Sequence, residues 1–173
     1  GANGGLSTTI THYKKDVVMT KRIAILGSGW LGLPLGARLV EIGYKVKGST
    51  TSPDKQTQLS AVGIAPYVFS VGSDFEGKVA DFFAADILIL NIPPGRRNPD
   101  VEIEHPKQVR LIIEEAIKGG IQQVIFISSS SVYGSHNQVV TETTPPHPET
   151  ASGRALVRAE EWLRTQTISS TII

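Results

Sequence analysis

The chain has 173 residues, with 17 Lys plus Arg against 16 Asp plus Glu and a formal net charge of +1; 40% hydrophobic and 19% charged residues is the balance of one soluble domain with a real core. That charge makes no basic field for nucleic acid, and no apolar run approaches the about 18 residues of a membrane helix, so neither is an expected partner. Cysteine is absent, which excludes disulfides, thiol nucleophiles and cysteine metal sites and fits a cytoplasmic location.

Residues 1–18 read as a tag or flexible N-terminal extension, because Met19-Thr20-Lys21-Arg22 has the look of a natural start. The domain is expected over 19–173. Lys21 to Leu26 is a short β-branched run ending at a glycine, which predicts a buried strand. Apolar residues at helical spacing (Leu31, Leu35, Leu39, Ile42) predict a helix over 30–42, closed by Gly43. A weaker strand is expected over 44–48. Ser52 or Thr51 is placed to cap a helix over 53–61. A third strand is expected over 67–71, a helical turn over 79–83 and a clear strand over 86–92. The helix predicted over 104–118 turns Val109, Ile112, Ile113, Ala116 and Ile117 inward. A buried strand over 123–128, a Pro-rich loop around Pro145, Pro146 and Pro148, a helix over 153–164 burying Leu156, Ala159, Trp162 and Leu163, and a last strand over 168–173 complete the pattern. Strands and helices alternate, and the strands are apolar without alternation. This predicts an α/β fold with a doubly wound parallel sheet, the NAD(P)-binding Rossmann fold.

Gly27-Ser28-Gly29-Trp30-Leu31-Gly32 has the GxGxxG spacing immediately after a predicted strand and at the start of a helix. In this pattern Gly27 permits the tight turn, Gly29 admits a pyrophosphate to the backbone and Gly32 lets helix and strand pack closely. The helix N-terminus adds free N–H groups and partial positive charge. NAD binders usually carry Asp or Glu at the end of the second strand for the ribose 2′-hydroxyl. Here Ser49, Thr50, Thr51 and Ser52 stand there, with Lys47 and Lys55 nearby. Hydroxyls and a lysine do not repel a 2′-phosphate, so NADP is preferred to NAD; a polar turn with a helix cap accounts for the same residues.

Ser128-Ser129-Ser130-Ser131-Val132-Tyr133-Gly134 follows the fifth strand, at the end where open α/β sheets bind ligands. With Glu142, Pro145, Pro146 and Pro148 after it, this segment resembles the extended short-chain dehydrogenase/reductase superfamily, the nucleotide-sugar epimerases and dehydratases, in an atypical branch. The resemblance implies a dinucleotide cofactor held by Gly27, Ser28, Gly29, Trp30, Leu31 and Gly32, with Asn91, Ile92, Pro93 and Ser128 lining the cofactor, and an unidentified small polar substrate, a nucleotide sugar being one class. It puts the catalytic serine at Ser129, four residues before Tyr133. The superfamily's catalytic tyrosine falls on Ser152 and its lysine on Leu156, so the Tyr-x-x-x-Lys dyad is lost. Tyr133, Arg154, His136 and His147 are the available substitutes, and Arg96 and Arg97 are placed to meet an anion.

Three functions follow: an NAD(P)-dependent epimerase/dehydratase-like enzyme or oxidoreductase with rearranged acid–base residues; a non-catalytic NAD(P)-binding regulatory or sensor module, which the lost dyad favours; and, from the N-terminal half, a β-hydroxyacid dehydrogenase-like cofactor domain, which the serine run fits poorly. Extended superfamily members continue beyond this length, so the chain is expected to lack a C-terminal substrate-binding part. An exposed last strand would favour a homodimer.

Overall fold

The computed structural model describes residues 21–27, 32–71, 75–76, 79–92, 99–128 and 150–173. Strands β1 (Arg22–Leu26), β2 (Lys45–Thr50), β3 (Ala65–Val68), β6 (Ile87–Leu90), β7 (Gln123–Phe126) and β8 (Ser169–Ile172) form one sheet in the order β3-β2-β1-β6-β7-β8. All of its pairs are parallel. Parallel neighbours need crossover connections, and the described helices supply them: α1 (Gly32–Ile42), α2 (Gln56–Ala61), α3 (Val101–Gly119) and α4 (Ala151–Arg164). The predicted doubly wound sheet is therefore present.

The apolar strands bury both faces. One face carries Ala24, Leu26, Leu88, Leu90, Val124 and Phe126 against Val109, Ile112 and Ile113 of α3 and Leu156, Ala159 and Leu163 of α4. The other carries Ile23, Ile25 and Val46 with Leu59 of α2 and the partly buried Leu35 and Leu39 of α1. Helix α1 lies close because of Gly36. A Cβ there would come within 2.6 Å of Ile64 Cδ1 and 3.1 Å of Ile25 Cδ1.

Several expectations are corrected. Ile117 is 50% exposed, not inward. The buried stripe of α3 is Val101, His105, Val109, Ile112, Ile113 and Ala116, and 3.6-residue periodicity rotates the next position out to solvent. Strand β2 runs on to Thr50 because, beyond the end of its β1 pairing at Gly48, Ser49 and Thr50 still pair with Tyr67 and Val68 of β3. Ser49 and Thr50 are thus strand residues and buried, not part of a turn. The third strand ends at Val68, and Ser70–Val71 forms a separate strand, β4, antiparallel to β5 (Phe75–Glu76). Residues 53–61 open as a 3₁₀ turn, Pro53–Lys55, before α2. Ser52 makes no side-chain cap there; Thr50 Oγ1 accepts the Ser52 N–H at 3.1 Å instead.

The turn over 79–83 anchors the sheet. Phe82 and Phe83 are buried, and Phe82 meets Tyr67 and Phe69 edge to face. Tyr67 donates its hydroxyl proton to Asp81. Burial, and then Asp81, push the phenol up to about 12. At the foot of the sheet Arg22 N–H donates to Asp86 Oδ2 at 2.8 Å, and that bond holds the Asp86 carboxyl below its ordinary range.

Candidate functional site at the carboxyl ends of β1 and β6

The strand order reverses between β1 and β6, so the helices that follow these strands leave on opposite faces and a crevice opens at their carboxyl ends. Gly27 stands at that point. Its φ is +93°, which L side chains rarely adopt, and a Cβ on it would collide with the Asn91 carbonyl at the end of β6. A Cβ on Gly32 would come within 2.6 Å of the Gly27 carbonyl and 3.4 Å of Ile25 Cγ2. Both glycines therefore have the roles expected of them, the turn and the close helix–strand contact.

The Gly27 peptide is held on both sides. Its N–H donates to Ser49 Oγ at 2.9 Å, and its carbonyl accepts from Asn91 Nδ2 at 3.3 Å. The Asn91 backbone N–H donates to Leu26 O at 2.9 Å. Ser49 is 4% exposed, so its hydroxyl first serves the glycine turn. Ser49→Ala would leave the Gly27 N–H without that acceptor; the expected result is a loss of about 1 kcal/mol in denaturant unfolding and weaker dinucleotide binding by calorimetry.

Thr50 is buried and Thr51 exposed at the tip of β2. Lys47 does not reach this tip: its ammonium donates to the carbonyls of Asp81 and Ala84. Of the two lysines expected near a 2′-phosphate, Lys55, exposed in the 3₁₀ turn, is the one not tied down in this way. The first carboxylate after β2 is its neighbour Asp54.

Ile92 and Ser128 each lie two residues beyond the ends of β6 and β7. Leu90 pairs with Phe126, so Ser128 is level with Ile92. Ser128 N–H donates to Ile173 O at 2.7 Å, while its hydroxyl is buried without a partner among the described residues. Ser28, Gly29, Trp30, Leu31, Pro93, Ser129 and Tyr133 lie outside the described residues, as do Arg96, Arg97, His136, His147 and residues 1–18.

His105 was not anticipated. It is 2% exposed, and its Nε2 lies 3.0 Å from Ile92 O. Its place on the α3 stripe, one turn before Val109, was the available signal. Burial pushes its pKa below the ordinary value, and the bond to Ile92 offsets only part of this. An unfolded histidine binds a proton near pH 6.5, so stability from this group is complete above about 6.5 and is lost as the pH falls below it. Unfolding at pH 7 and pH 5.5 should show a steeper acid loss for the wild type than for His105→Gln.

The two positions on which the sequence resemblance puts the superfamily's acid–base dyad, Ser152 and Leu156, lie on α4. Ser152 sits in the first turn beside Thr150, whose Oγ1 caps the helix by accepting from Gly153 N–H at 3.0 Å. Leu156 is 2% exposed within the core. Among the described residues no group of His, Asp and Glu is arranged to hold a metal, and no helix is long and apolar enough to cross a membrane.

No protein-family model matches the sequence. The chain is 37% identical over 146 residues to Protein YeeZ of Escherichia coli K12, across 83% of this chain and 53% of YeeZ. It is similar to the structure of the UDP-Glc/GlcNAc 4-epimerase from Campylobacter jejuni, with a TM-score of 0.73 and 21% identity over 88% of this chain and 52% of that one. It is also similar to a short-chain dehydrogenase/reductase superfamily protein from Agrobacterium tumefaciens with bound NAD, with a TM-score of 0.66 and 20% identity over 87% of this chain and 48% of that one. The chain spans about half the length of these proteins. The resemblance drawn from the glycine loop and serine run is thus borne out in the fold, which is the Rossmann fold of the epimerases and the short-chain dehydrogenase/reductase superfamily.

Proposed function

We propose, on the short-chain dehydrogenase/reductase fold that this chain carries, that it is the dinucleotide-binding part of an NAD(P)-dependent oxidoreductase or epimerase-like protein acting on a small polar substrate. The observation that supports this is the Gly27 turn, at the point where the strand order reverses and closed to any side chain by Asn91. Gly27, Gly32 and the loop between them would hold the pyrophosphate at the start of α1, and Thr50, Thr51, Asn91, Ile92 and Ser128 would line the rest of the cofactor. When bound, the cofactor supplies hydride chemistry. NADP is the preferred form, because β2 ends in hydroxyls with Lys55 beside them rather than in a carboxylate. A substrate-binding part beyond the Rossmann domain of residues 19–173 belongs to this reading.

Leu156 favours a second reading. Its side chain is in the core, where the dyad lysine of an active enzyme would have to meet the cofactor. A cofactor-binding module with a sensor or regulatory role needs the glycine turn and not the dyad.

Calorimetric titration with NADPH, NADP, NADH and NAD tests both. Tighter binding of the phosphorylated pair supports the β2 assignment. Binding without turnover of nucleotide sugars by the full-length protein favours the sensor reading. No binding by a folded protein would remove the cofactor from both.

A further inference from the structure

We propose that His105 is the positioning residue for the cofactor side of the sheet: from α3 it holds the Ile92 carbonyl and so keeps Asn91 against the Gly27 turn. The proposal rests on the reading of that turn as a dinucleotide site.

The chemistry of the contact sets the tautomer. A carbonyl oxygen only accepts, so the His105 nitrogen 3.0 Å from Ile92 O carries the hydrogen, and the ring is the neutral Nε2–H form. Nδ1 is then a bare acceptor, buried and without a partner among the described residues. Such a ring is a poor choice for stability alone. Among the described residues it leaves one nitrogen stripped of water and unpaired, where an aliphatic side chain would lose nothing. The rest of the buried stripe of α3 is aliphatic: Val101, Val109, Ile112, Ile113 and Ala116. One polar residue in that stripe, spending its single donor on one backbone carbonyl, points to the carbonyl as its purpose.

That carbonyl is one residue beyond Asn91. The Asn91 N–H is bonded to Leu26, its side-chain amide to the Gly27 carbonyl, and its own carbonyl occupies the space a Gly27 Cβ would need. The Asn91–Ile92 segment is therefore held by β1 and the Gly27 turn on one side, through the Asn91 N–H and side-chain amide, and by α3 on the other, through the Ile92 carbonyl. The start of α3 is tied to α4: Glu102, three residues before His105, pairs with Arg154 at 3.1 Å and Arg158 at 3.3 Å. Removal of the His105 donor frees the Ile92 peptide to rotate and loosens the Asn91 contacts that shape the turn.

Three variants separate this role from plain packing. His105→Gln keeps a donor long enough to reach Ile92. His105→Leu keeps apolar volume without a donor. His105→Asn keeps a donor too short to reach. Amide hydrogen exchange at Gly27 and Asn91 in the ligand-free protein, and dinucleotide affinity by calorimetry, are the two readouts. In Leu and Asn the two amides should exchange about tenfold faster while core amides of β1 stay protected, and affinity should fall about five- to tenfold. Gln should restore both readouts to near wild type. Unchanged exchange in Leu and Asn, or failure of Gln to rescue, overturns the proposal. Should Leu fail to fold, the Gln and Asn pair decides. A wild type that binds no dinucleotide defeats the cofactor reading alone, since the exchange rates still report on positioning. Nitrogen NMR of the ring should show Nε2–H at neutral pH, and an Nδ1–H signal would also overturn it.

Discussion

Gly27→Ala is expected to abolish dinucleotide binding and to cost about 2–4 kcal/mol of stability, a drop of roughly 5–15 °C in the unfolding midpoint for a chain of this size. Two penalties combine. The backbone at Gly27 has a φ of +93°, and the added Cβ meets the Asn91 carbonyl, a backbone atom. That carbonyl cannot swing aside, because Asn91 is bonded to Leu26 and Gly27 and its successor Ile92 to His105. Gly120→Ala is the control. Gly120 has a φ of +89° with nothing within 4 Å of the would-be Cβ, so it carries the conformational penalty alone, about 1 kcal/mol. Equal losses for the two variants, measured by denaturant unfolding, would show that the contact with Asn91 is not what the turn depends on.

Leu156→Lys should destabilise the protein by about 3–5 kcal/mol and should not create dehydrogenase activity, alone or with Ser152→Tyr. The lysine would lose the packing of a core leucine and place an unpaired ammonium where Leu156 is 2% exposed. Leu156→Met, which conserves volume, should cost less than about 1.5 kcal/mol. Thermal melts of the three variants check this. A lysine tolerated without loss would mean that the position opens on the crevice, and the sensor reading would lose its main support.

The architecture was legible in the sequence because its signals are local. The apolar runs before Gly27, before Asn91 and before Ser128 bury both faces and do not alternate, and this is the signature of a parallel sheet under two helical layers. The glycine spacing between a strand and a helix specified the turn, and the helix that ends at Gly119 was marked by the pair Gly119-Gly120 and its left-handed cap. Element boundaries were less legible. Strand β2 gained Ser49 and Thr50 because pairing with Tyr67 and Val68 of β3 outweighs the weak strand preference of a hydroxyl-rich run.

Composition and periodicity thus determined by themselves the fold class, the order of the elements and the place of the glycine turn, since each of these depends on residues near one another in the chain. Tertiary structure alone decided what the polar residues around the turn do. Ser49 and Asn91 hold the Gly27 peptide from 22 and 64 positions away in the chain. Lys47 is drawn off to the carbonyls of Asp81 and Ala84, 34 and 37 positions away. His105 reaches Ile92 across a helix start, and Leu156 is committed to the core. A hydrogen bond between distant segments leaves no periodicity in either, so only the packed sheet could show which donors and acceptors meet.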